Sequence, residues 1–454
     1  MILTLLRKNT ITYVFLGFSL LFYAAFAYDL DRTDLPKLFG LYGALFYFFY
    51  QIYGKIADDN RLATGFGILS RLIFLIAIPN LSQDFYRFLW DGHLLIKGMN
   101  PYTATPEALI SNTDLNLETA QRLIQGMGSL NASHYSNYPP LNQLFFAIAA
   151  FLGGSNISLS VFILRLFIIG GDIVLLHFGK KVLKLLGKPA KTIYLYFLNP
   201  FVIIELTGNL HFEGVMMALA VISIYFLLTS SPVRSALFLG LSILVKLIPL
   251  MFLPLYFSYF NGKISALKGK AIGKATGYLI ITSGVVILGF LPFYSITDLS
   301  HFSESIMLWF GKFEFNASFY YILRGIGYII KGYNTIETLS KSIALVVFVS
   351  ICWLALFNDN REVKKLLTAM LFAVSLYLFT ATTVHPWYIT VPLILCLFTE
   401  YRFPVVWSGV VILSYHAYAS APYNENFIVL ALEYLVLYGY LIYEVRRLLK
   451  ASLG

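Results

Sequence analysis

The sequence is poor in charged residues, which make up only 12% of its 454 positions. Soluble domains carry about 25%, so the composition argues against a soluble globular protein. Hydrophobic residues take the place of the missing charge: they form 58% of the chain, in repeated runs close to the ~20 residues that cross a bilayer as a helix. The alternating ~10-residue segments of a transmembrane barrel are missing. The sequence therefore predicts an all-α polytopic membrane protein.

Cysteine is nearly absent as well. The two cysteines, Cys352 and Cys396, both lie inside apolar runs. They have no metal-ligand spacing and form no disulfide framework, so we interpret them as small core residues.

The common signatures of nucleotide binding and hydrolysis are also missing. The sequence contains no Walker loop, GxSxG elbow, HExxH pair or Rossmann fingerprint. Nucleotide-driven transport and zinc proteolysis therefore lose support. If the protein transfers a chemical group, the donor is expected to arrive within the membrane.

The net charge of +10 does not indicate a nucleic-acid partner. Its basic residues lie mostly between apolar runs, and the positive-inside rule explains that pattern better. With the N-terminus in the cytoplasm, most of the 33 Lys and Arg residues fall on the cytoplasmic side. The long loops 80–158 and 294–338 then lie outside, within a chain that we interpret as one integral-membrane domain, 1–454.

The apolar runs predict the membrane segments. Residues 235–258 have basic flanks at both ends and are interrupted at Lys246, so we predict a hairpin that enters the membrane and returns. The short run 141–152 predicts a partly inserted helix. The remaining runs fall at 11–27, 39–54, 63–79, 159–178, 192–206, 212–229, 276–293, 339–357, 366–382, 387–400, 403–418 and 427–443.

Polar residues concentrate in the stretch 81–102 of the first external loop. Asp84, Arg87 and Asp91 recur at spacings of three and four, so they share one face of a helix. With the apolar residues between them, this pattern predicts an amphipathic helix over 82–99 that lies on the membrane surface. A ladder of salt bridges on a solvated face is the alternative interpretation.

Further candidates lie in short connections on the same external side. Tyr138 precedes Pro139-Pro140, which stiffens the chain; it is either a rigid support or an interfacial belt residue. Asn209, His211 and Glu213 lie between two spans, where a hydrogen-bond network and a metal site are both open, although two metal ligands are weak evidence.

Other candidates are charged or aromatic residues at the ends of spans. An unpaired ammonium group such as that of Lys246 costs several kcal/mol in an apolar setting, so it must meet a carboxylate or a phosphate. Asn316 begins an N-glycosylation sequon, and Arg324 follows in the same loop. His385 precedes Trp387 and Tyr388, for which an aromatic belt is the alternative explanation.

The ordered motifs resemble a known group of enzymes. Asp84-x-Tyr86-Arg87-x-x-x-Asp91-Gly92, Gly98-x-Asn100-Pro101-Tyr102 and Tyr138-Pro139-Pro140-Leu141 are similar to motifs of polyprenyl-phosphate-dependent glycosyltransferases of the GT-C superfamily. The similarity is strongest to bacterial integral-membrane mannosyltransferase-like proteins and to the catalytic subunit of the first glycosylphosphatidylinositol mannosyltransferase. Asn199-Pro200, Asn209, Glu213, Lys246-x-x-Pro249 and His385-x-Trp387-Tyr388 also fit.

The resemblance implies a GT-C-like bundle of about 12–14 transmembrane helices with external amphipathic helices. It places the catalytic acid of the first external loop at Asp84. Relatives often have a second acid beside this position, whereas Ser82-Gln83 precedes it here. The resemblance therefore does not establish a cofactor. A divalent metal is an open but weakly supported expectation.

The expected function is transfer of a hexose, with mannose taken from the resemblance, from a polyprenyl-phosphate sugar to the hydroxyl of a glycan, lipid or protein acceptor. The expected place is the external face of a bacterial inner membrane, with inversion at the anomeric carbon. Asp84 is the expected base and Asp91 the alternative. The expected binding residues are Arg87, Tyr138, Asn209, His211, Glu213, Lys246, Asn316, Arg324, His385, Trp387 and Tyr388.

Two other functions remain open at this point. Buried charge and broken spans are also typical of a polytopic lipid or solute transporter, or a flippase. An inactive relative that scaffolds a larger assembly is the third possibility.

Overall fold

The computed structural model describes residues 2–110, 117–263, 269–419 and 423–453. Within these ranges the chain is helical, and its only β-type pairing is one isolated bridge between Phe315 and Thr383. The first half of the bundle contains α1 (Ile2–Tyr28), α2 (Leu35–Ile56), α3 (Asn60–Ile73), α4 (Asp84–Ile96), α5 (Pro106–Leu109), α6 (Leu117–Ala132), α7 (Pro140–Gly153), α8 (Ile157–Leu185), α9 (Tyr194–Phe197) and α10 (Glu213–Leu228).

The second half contains α11 (Pro232–Val245), α12 (Leu253–Asn261), α13 (Gly269–Phe290), α14 (Ile296–Gly311), α15 (Phe319–Lys331), α16 (Ile336–Phe357), α17 (Val363–Thr380), α18 (Thr390–Leu397), α19 (Phe403–Val410) and α20 (Phe427–Leu453). Short 3₁₀ turns join several of these helices. They lie at Ala190–Ile193, Ile248–Phe252, Leu291–Phe293, Pro386–Ile389 and Val411–Tyr418, and a π-helical segment covers Val202–Gly208.

The prediction of an all-α polytopic membrane protein is confirmed. Six described helices are long and apolar enough to cross a membrane, and a pair bent by 107°, Val202–Gly208 with Glu213–Leu228, would make seven. The expected 12–14 spans are not matched by unbroken helices in this part of the chain, because several apolar runs fold as shorter pieces. Those shorter apolar helices are Pro140–Gly153, Pro232–Val245, Pro386–Leu397 and Phe403–Tyr418.

The segment 235–258 reverses direction at Lys246, as predicted. Lys246 has an extended backbone (φ −151°, ψ 147°) that ends α11, and Pro249 follows within the next turn. The hydroxyl of Tyr278 on α13 lies 3.0 Å from the Ser235 hydroxyl, and its ring stacks on Tyr256 at 4.8 Å. Both ends of the segment therefore meet the same level of α13, with Lys246 at the tip between them.

The amphipathic pattern predicted a helix with one polar face open to solvent. Helix α4 does not have such a face. Most of its residues are buried, and it packs between α6 and α7. Gly92 allows this approach: a Cβ atom there would lie 2.3 Å from the carbonyl oxygen of Phe146 on α7. The sequence pattern was correct about the helix, and the structure adds that α6 and α7 pack against α4 and bury most of its polar residues as well.

Buried arginines hold the broken segment 202–213 in place. Arg165 on α8 donates to the carbonyl oxygens of Thr207 (2.8 Å) and Gly208 (3.1 Å), which the π-helical segment leaves without partners of its own. Arg71 on α3 forms a fully buried ion pair with Asp172 at 2.7 Å and donates to the carbonyl oxygen of Phe197 at 2.8 Å, shortly before this segment. These contacts fix the chain immediately before Glu213, where the candidate site begins.

Candidate active site

A cavity of about 850 Å³ gathers many of the expected site residues. Its walls come from α4, the chain before α7, the Lys246 hairpin, α16, the segment 377–388 and the end of the 411–418 turn. The expected residues that line it are Asp84, Arg87, Tyr138, Lys246, His385, Trp387 and Tyr388. Residues more than 300 positions apart in the chain thus share one space.

Asp84 is the first residue of α4 and lies half-buried on the cavity wall. The pKa of its carboxyl group is raised to about 6, chiefly by burial and with a smaller contribution from the charge of Glu213. The ammonium of Lys246 and a hydrogen bond from the side chain of Asn131 act in the opposite direction. A carboxylate with a pKa near the working pH is well suited to accept a proton.

Lys246 donates a hydrogen bond to the carboxylate of Glu213 at the tip of the hairpin. Glu213 is completely buried, whereas the Lys246 side chain keeps 16% of its surface exposed and lines the cavity. Of the two partners that the sequence left open for this lysine, the structure shows the carboxylate. Removing water from an ion pair is expensive unless the charges are well matched, so Glu213 holds the ammonium at this position.

Stacked rings form one wall beside Lys246. The ring of Trp387 lies between His385, at a centroid distance of 4.5 Å, and His211, at 3.7 Å. Burial and then the nearby Lys246 charge lower the pKa of His385 to about 3. This low pKa favours the neutral form of the His385 imidazole, which supplies no positive charge.

Asp91, the alternative base, lies outside the cavity in a closed polar network. Its carboxylate accepts hydrogen bonds from Arg87 Nε at 2.8 Å and from Gln143 Nε2 at 3.0 Å, and Ser136 also donates to it. The side chain of Asp91 is fully buried. Because its oxygens are already occupied, this placement favours Asp84 over Asp91 as the base.

The same network fixes the cavity wall. Arg87 also donates to the carbonyl oxygens of Asn131 (2.7 Å) and His134 (2.8 Å). The hydroxyl of Tyr102 donates to the carbonyl oxygen of Tyr138 at 2.6 Å. The second and third sequence motifs of the first external loop therefore contact each other, and the first motif reaches the third through the rings of Phe88 and Tyr138, whose centroids are 5.0 Å apart. These contacts support the interpretation of Tyr138 as part of a rigid support.

Five other expected binding residues do not line the cavity, and each has a structural partner. His211 and Glu213 lie behind the Trp387 and Lys246 walls. Asn209 accepts a hydrogen bond from the Leu81 amide at 3.2 Å. The remaining two are Asn316, whose side chain donates to the buried Glu433 at 3.2 Å, and Arg324, which pairs with Glu314.

The cavity also contains residues that the sequence analysis did not single out. Arg32 comes from the short loop between α1 and α2, and Asn131 comes from the end of α6. One sequence signal could have identified Arg32. It is a basic residue in a loop that the predicted topology places on the external side, where the positive-inside rule leads us to expect few basic residues. The aromatic residues that were missed are Phe313, Phe315, Tyr377, Tyr415, Tyr418 and Tyr423.

No group of three or more His, Cys, Asp or Glu side chains in the described ranges could hold a metal ion. Gln83, at the position where a second acid is common among relatives, donates to the carbonyl oxygen of Met127 at 2.9 Å. The residues around Asp84 therefore do not form an acidic pair.

Comparison with known proteins agrees with the motifs. A family model described as "Alpha-(1->6)-mannopyranosyltransferase, N-terminal domain" matches residues 60–260, which include Asp84, Glu213 and Lys246. The chain is thus similar to a family of mannosyltransferases over these residues. The resemblance seen in the motifs is thereby confirmed, as is the prediction of a membrane glycosyltransferase.

Two curated relatives support this assignment. Over 373 residues the chain is 22% identical to alpha-(1->6)-mannopyranosyltransferase A of Corynebacterium glutamicum, a match that covers 74% of this chain and 71% of the relative. Over 328 residues it is 21% identical to the protein of the same name from Mycobacterium tuberculosis, covering 70% of this chain and 61% of that relative. The match thus spans less than two thirds of the mycobacterial protein. Both names describe enzymes, which weighs against a transporter.

Proposed function

We propose that this protein transfers a mannosyl unit from a polyprenyl-phosphate donor to a hydroxyl group of a glycan acceptor. The observation that carries the proposal is that Asp84, Lys246 and an apolar wall share one cavity. The names of the two relatives support mannose as the sugar.

The apolar wall is suited to a lipid-linked donor. It extends along α16 from Ser340 to Ile351, a distance of about 16 Å at 1.5 Å per residue, and the hairpin faces it. The outer side of α16 is exposed apolar surface, including Val346 and Trp353, as expected for a helix against lipid. Exposing an isoprenoid tail to water would cost about 0.8 kcal/mol for each CH₂ group. An apolar wall avoids that exposure, and it offers nothing comparable to a soluble sugar nucleotide. Its hairpin residues are Leu247, Ile248, Leu250, Met251 and Pro254.

The proposed reaction is a single displacement at the anomeric carbon. Asp84 accepts the proton of the acceptor hydroxyl, whose oxygen forms the new bond to that carbon. The bond from the carbon to the phosphate oxygen breaks, and its electron pair leaves with polyprenyl phosphate. One displacement inverts the anomeric centre.

Lys246 supplies positive charge where negative charge develops on the leaving phosphate, which is the usual role of such a group. Neutral His385 can donate a hydrogen bond there without adding charge. Tyr388 lines the same wall and offers aromatic surface to the sugar, whereas both faces of Trp387 are covered by His385 and His211. Glu213 keeps Lys246 in place between the two substrates.

The proposed side of the reaction is the external face of a bacterial inner membrane, which follows from the distribution of Lys and Arg. Single cysteines in a chain with Cys352 and Cys396 replaced by Ala test this topology. A cysteine at the exposed Ser303 on α14 should react with a membrane-impermeant maleimide in intact spheroplasts. One at Asn358, after α16, should react only after permeabilisation, and the reverse pattern would place the cavity in the cytoplasm.

The activity itself is tested with purified protein in nanodiscs and a polyprenyl-phosphate donor labelled in the mannose. Transfer of label to a synthetic alkyl mannoside is the expected result, with GDP-mannose as the control donor that should give none. Movement of intact labelled lipid between leaflets without transfer would instead support a flippase.

A further inference from the structure

The positive charges around the cavity are not equally available to a ligand. Three described Lys or Arg residues line it: Arg32, Arg87 and Lys246. Arg87 is paired with Asp91, and Lys246 is paired with Glu213. Arg32 forms no ion pair within 4 Å in the described part of the chain. Among the three lining cations, it is therefore the one without a carboxylate partner at close range.

Arg32 is held by weak contacts that leave its donors available. Its Cζ atom lies 4.5 Å from the centre of the Tyr418 ring. Its Nη1 atom donates to the carbonyl oxygen of Leu81 at a long distance of 3.5 Å. A guanidinium has five N–H donors in a rigid fork, so most of them remain for another partner.

The neighbouring carboxylate of Asp31 does not take these donors. It accepts hydrogen bonds from the amide (2.8 Å) and the hydroxyl (2.7 Å) of Thr33. Arg32 therefore extends away from its own loop towards Leu81, three residues before Asp84, and Tyr418 on the cavity wall.

The charges at the reaction centre show why a second cation is needed. Lys246 contributes one positive charge, whereas Glu213 and ionised Asp84 contribute two negative charges. An incoming phosphate would meet a net negative site if Lys246 were the only cation. Arg32 restores the balance, and an arginine fork matches the oxygens of a phosphate group better than a lysine does.

We propose that Arg32 is the anion-binding residue of the cavity and takes a phosphate-type group of a substrate through two hydrogen bonds. The group is either the phosphate of the lipid donor or an anionic group on the acceptor. The inference deepens the proposed function and rests on it for the identity of the donor, whereas anion binding itself can be measured without catalysis.

The test measures binding of polyprenyl phosphate, which lacks the sugar, to the full-length protein in nanodiscs of neutral lipid. Arg32→Gln should weaken binding about 10- to 100-fold, as expected for charge-assisted hydrogen bonds, at an unchanged melting temperature. Arg32→Lys should fall between this variant and wild type, because it keeps the charge and loses the fork. Lys37→Gln is the matched control, since Lys37 lies close by on α2, pairs with the exposed Asp29 and does not line the cavity.

The outcomes separate the two sources of the anion. One outcome is that Arg32→Gln binds polyprenyl phosphate as the wild type does and yet raises KM about tenfold or more for a phosphorylated acceptor, with no change for a neutral acceptor. In that case the anionic group that Arg32 binds belongs to the acceptor. If neither quantity changes, Arg32 is not the anion-binding residue. Should Arg32→Gln fold poorly, Arg32→Lys decides, and wild-type binding and kinetics in that variant overturn the inference. Binding that depends on Arg32 in a protein without transfer activity would refute the proposed function alone.

Discussion

Glu213 and Lys246 form an ion pair across 33 residues of sequence, with the carboxylate fully buried and the ammonium at the cavity wall. The pair joins the broken connection before α10 to the tip of the hairpin. It also places a positive charge close enough to Asp84 to lower the pKa of that carboxyl group. The catalytic proposal therefore depends on a contact between two elements that the sequence pattern treats separately.

Removing the charge of Lys246 should affect stability and activity together. Lys246→Met leaves the buried Glu213 carboxylate without its cation, so we expect a loss of about 3–5 kcal/mol in unfolding free energy and a severe loss of transfer. Unfolding in detergent and the labelled-donor assay measure the two effects.

The double variant Lys246→Met/Glu213→Gln separates them. It should recover most of the stability, because no unpaired charge remains, but not the activity. Recovery of activity as well would show that Lys246 acts only as a structural partner of Glu213.

Replacing the proposed base should reduce turnover more than binding. Asp84→Asn keeps the size of the side chain and removes its ability to accept the proton, so kcat should fall about 10²–10⁴-fold. The affinity for polyprenyl phosphate should be retained or improved, since a negative charge near the phosphate is lost. The control is Glu304→Gln, because Glu304 is an exposed acid on α14 outside the cavity, and this variant should keep wild-type kcat. Equal kcat values for Asp84→Asn and the control would exclude Asp84 as the base.

The pH profile of transfer should follow the ionisation of Asp84. The base must be deprotonated, so kcat/KM should rise with pH through about 6 and level off above it. In Lys246→Arg, which keeps the positive charge, the rising limb should stay near this pH. In Lys246→Met, which removes this charge and keeps Glu213, the rising limb of the residual activity should move to higher pH, because Lys246 lowers the pKa of Asp84. A limb that does not move would show that another group titrates.

The same pKa predicts how stability depends on pH. The folded value of about 6 lies above the ordinary aspartate value of about 3.9, so the folded state binds the proton more tightly than the unfolded state. Asp84 therefore favours folding most at low pH, and this contribution is lost as pH rises from about 4 to about 6. Asp84→Asn should melt at a higher temperature than wild type at pH 7 and show a smaller difference at pH 4.

The close approach of α4 and α7 should not tolerate a side chain at Gly92. A Cβ atom there meets the backbone oxygen of Phe146 at 2.3 Å, and backbone cannot rotate away as a side chain can. Gly92→Ala should cost about 1–3 kcal/mol and reduce transfer by moving Asp84. Gly40→Ala on α2, where nothing lies within 4 Å of the added atom, should be neutral or slightly stabilising; similar melting temperatures for the two variants would contradict the packing argument.

Much of the fold is readable from local sequence. The apolar run 339–357 became α16 (Ile336–Phe357), and the run 159–178 became the core of α8 (Ile157–Leu185). The break at Lys246 was visible from its charge and from Pro249. These features depend on hydrophobicity and backbone chemistry within one segment, which is why sequence patterns report them.

The candidate site was only partly readable. Helical spacing predicted that Arg87 could pair with Asp91, and the pair exists. Spacing could not show that α6 and α7 bury this pair and separate Asp91 from the cavity. Nor could it show that Asn316 contacts Glu433, 117 positions away, or that Arg32 reaches the cavity from the loop after α1.

The sequence by itself determined the class of the protein, an all-α membrane protein. It also contained motifs that resemble those of GT-C mannosyltransferases, and the resemblance made Asp84 the expected base. Only the tertiary structure decided which polar side chains line the cavity and which ones support it from behind. The physical reason is that a periodic pattern specifies which face of a helix avoids lipid or water. The partner that covers that face comes from distant segments, and in this protein the partner decides whether a charge is available for chemistry.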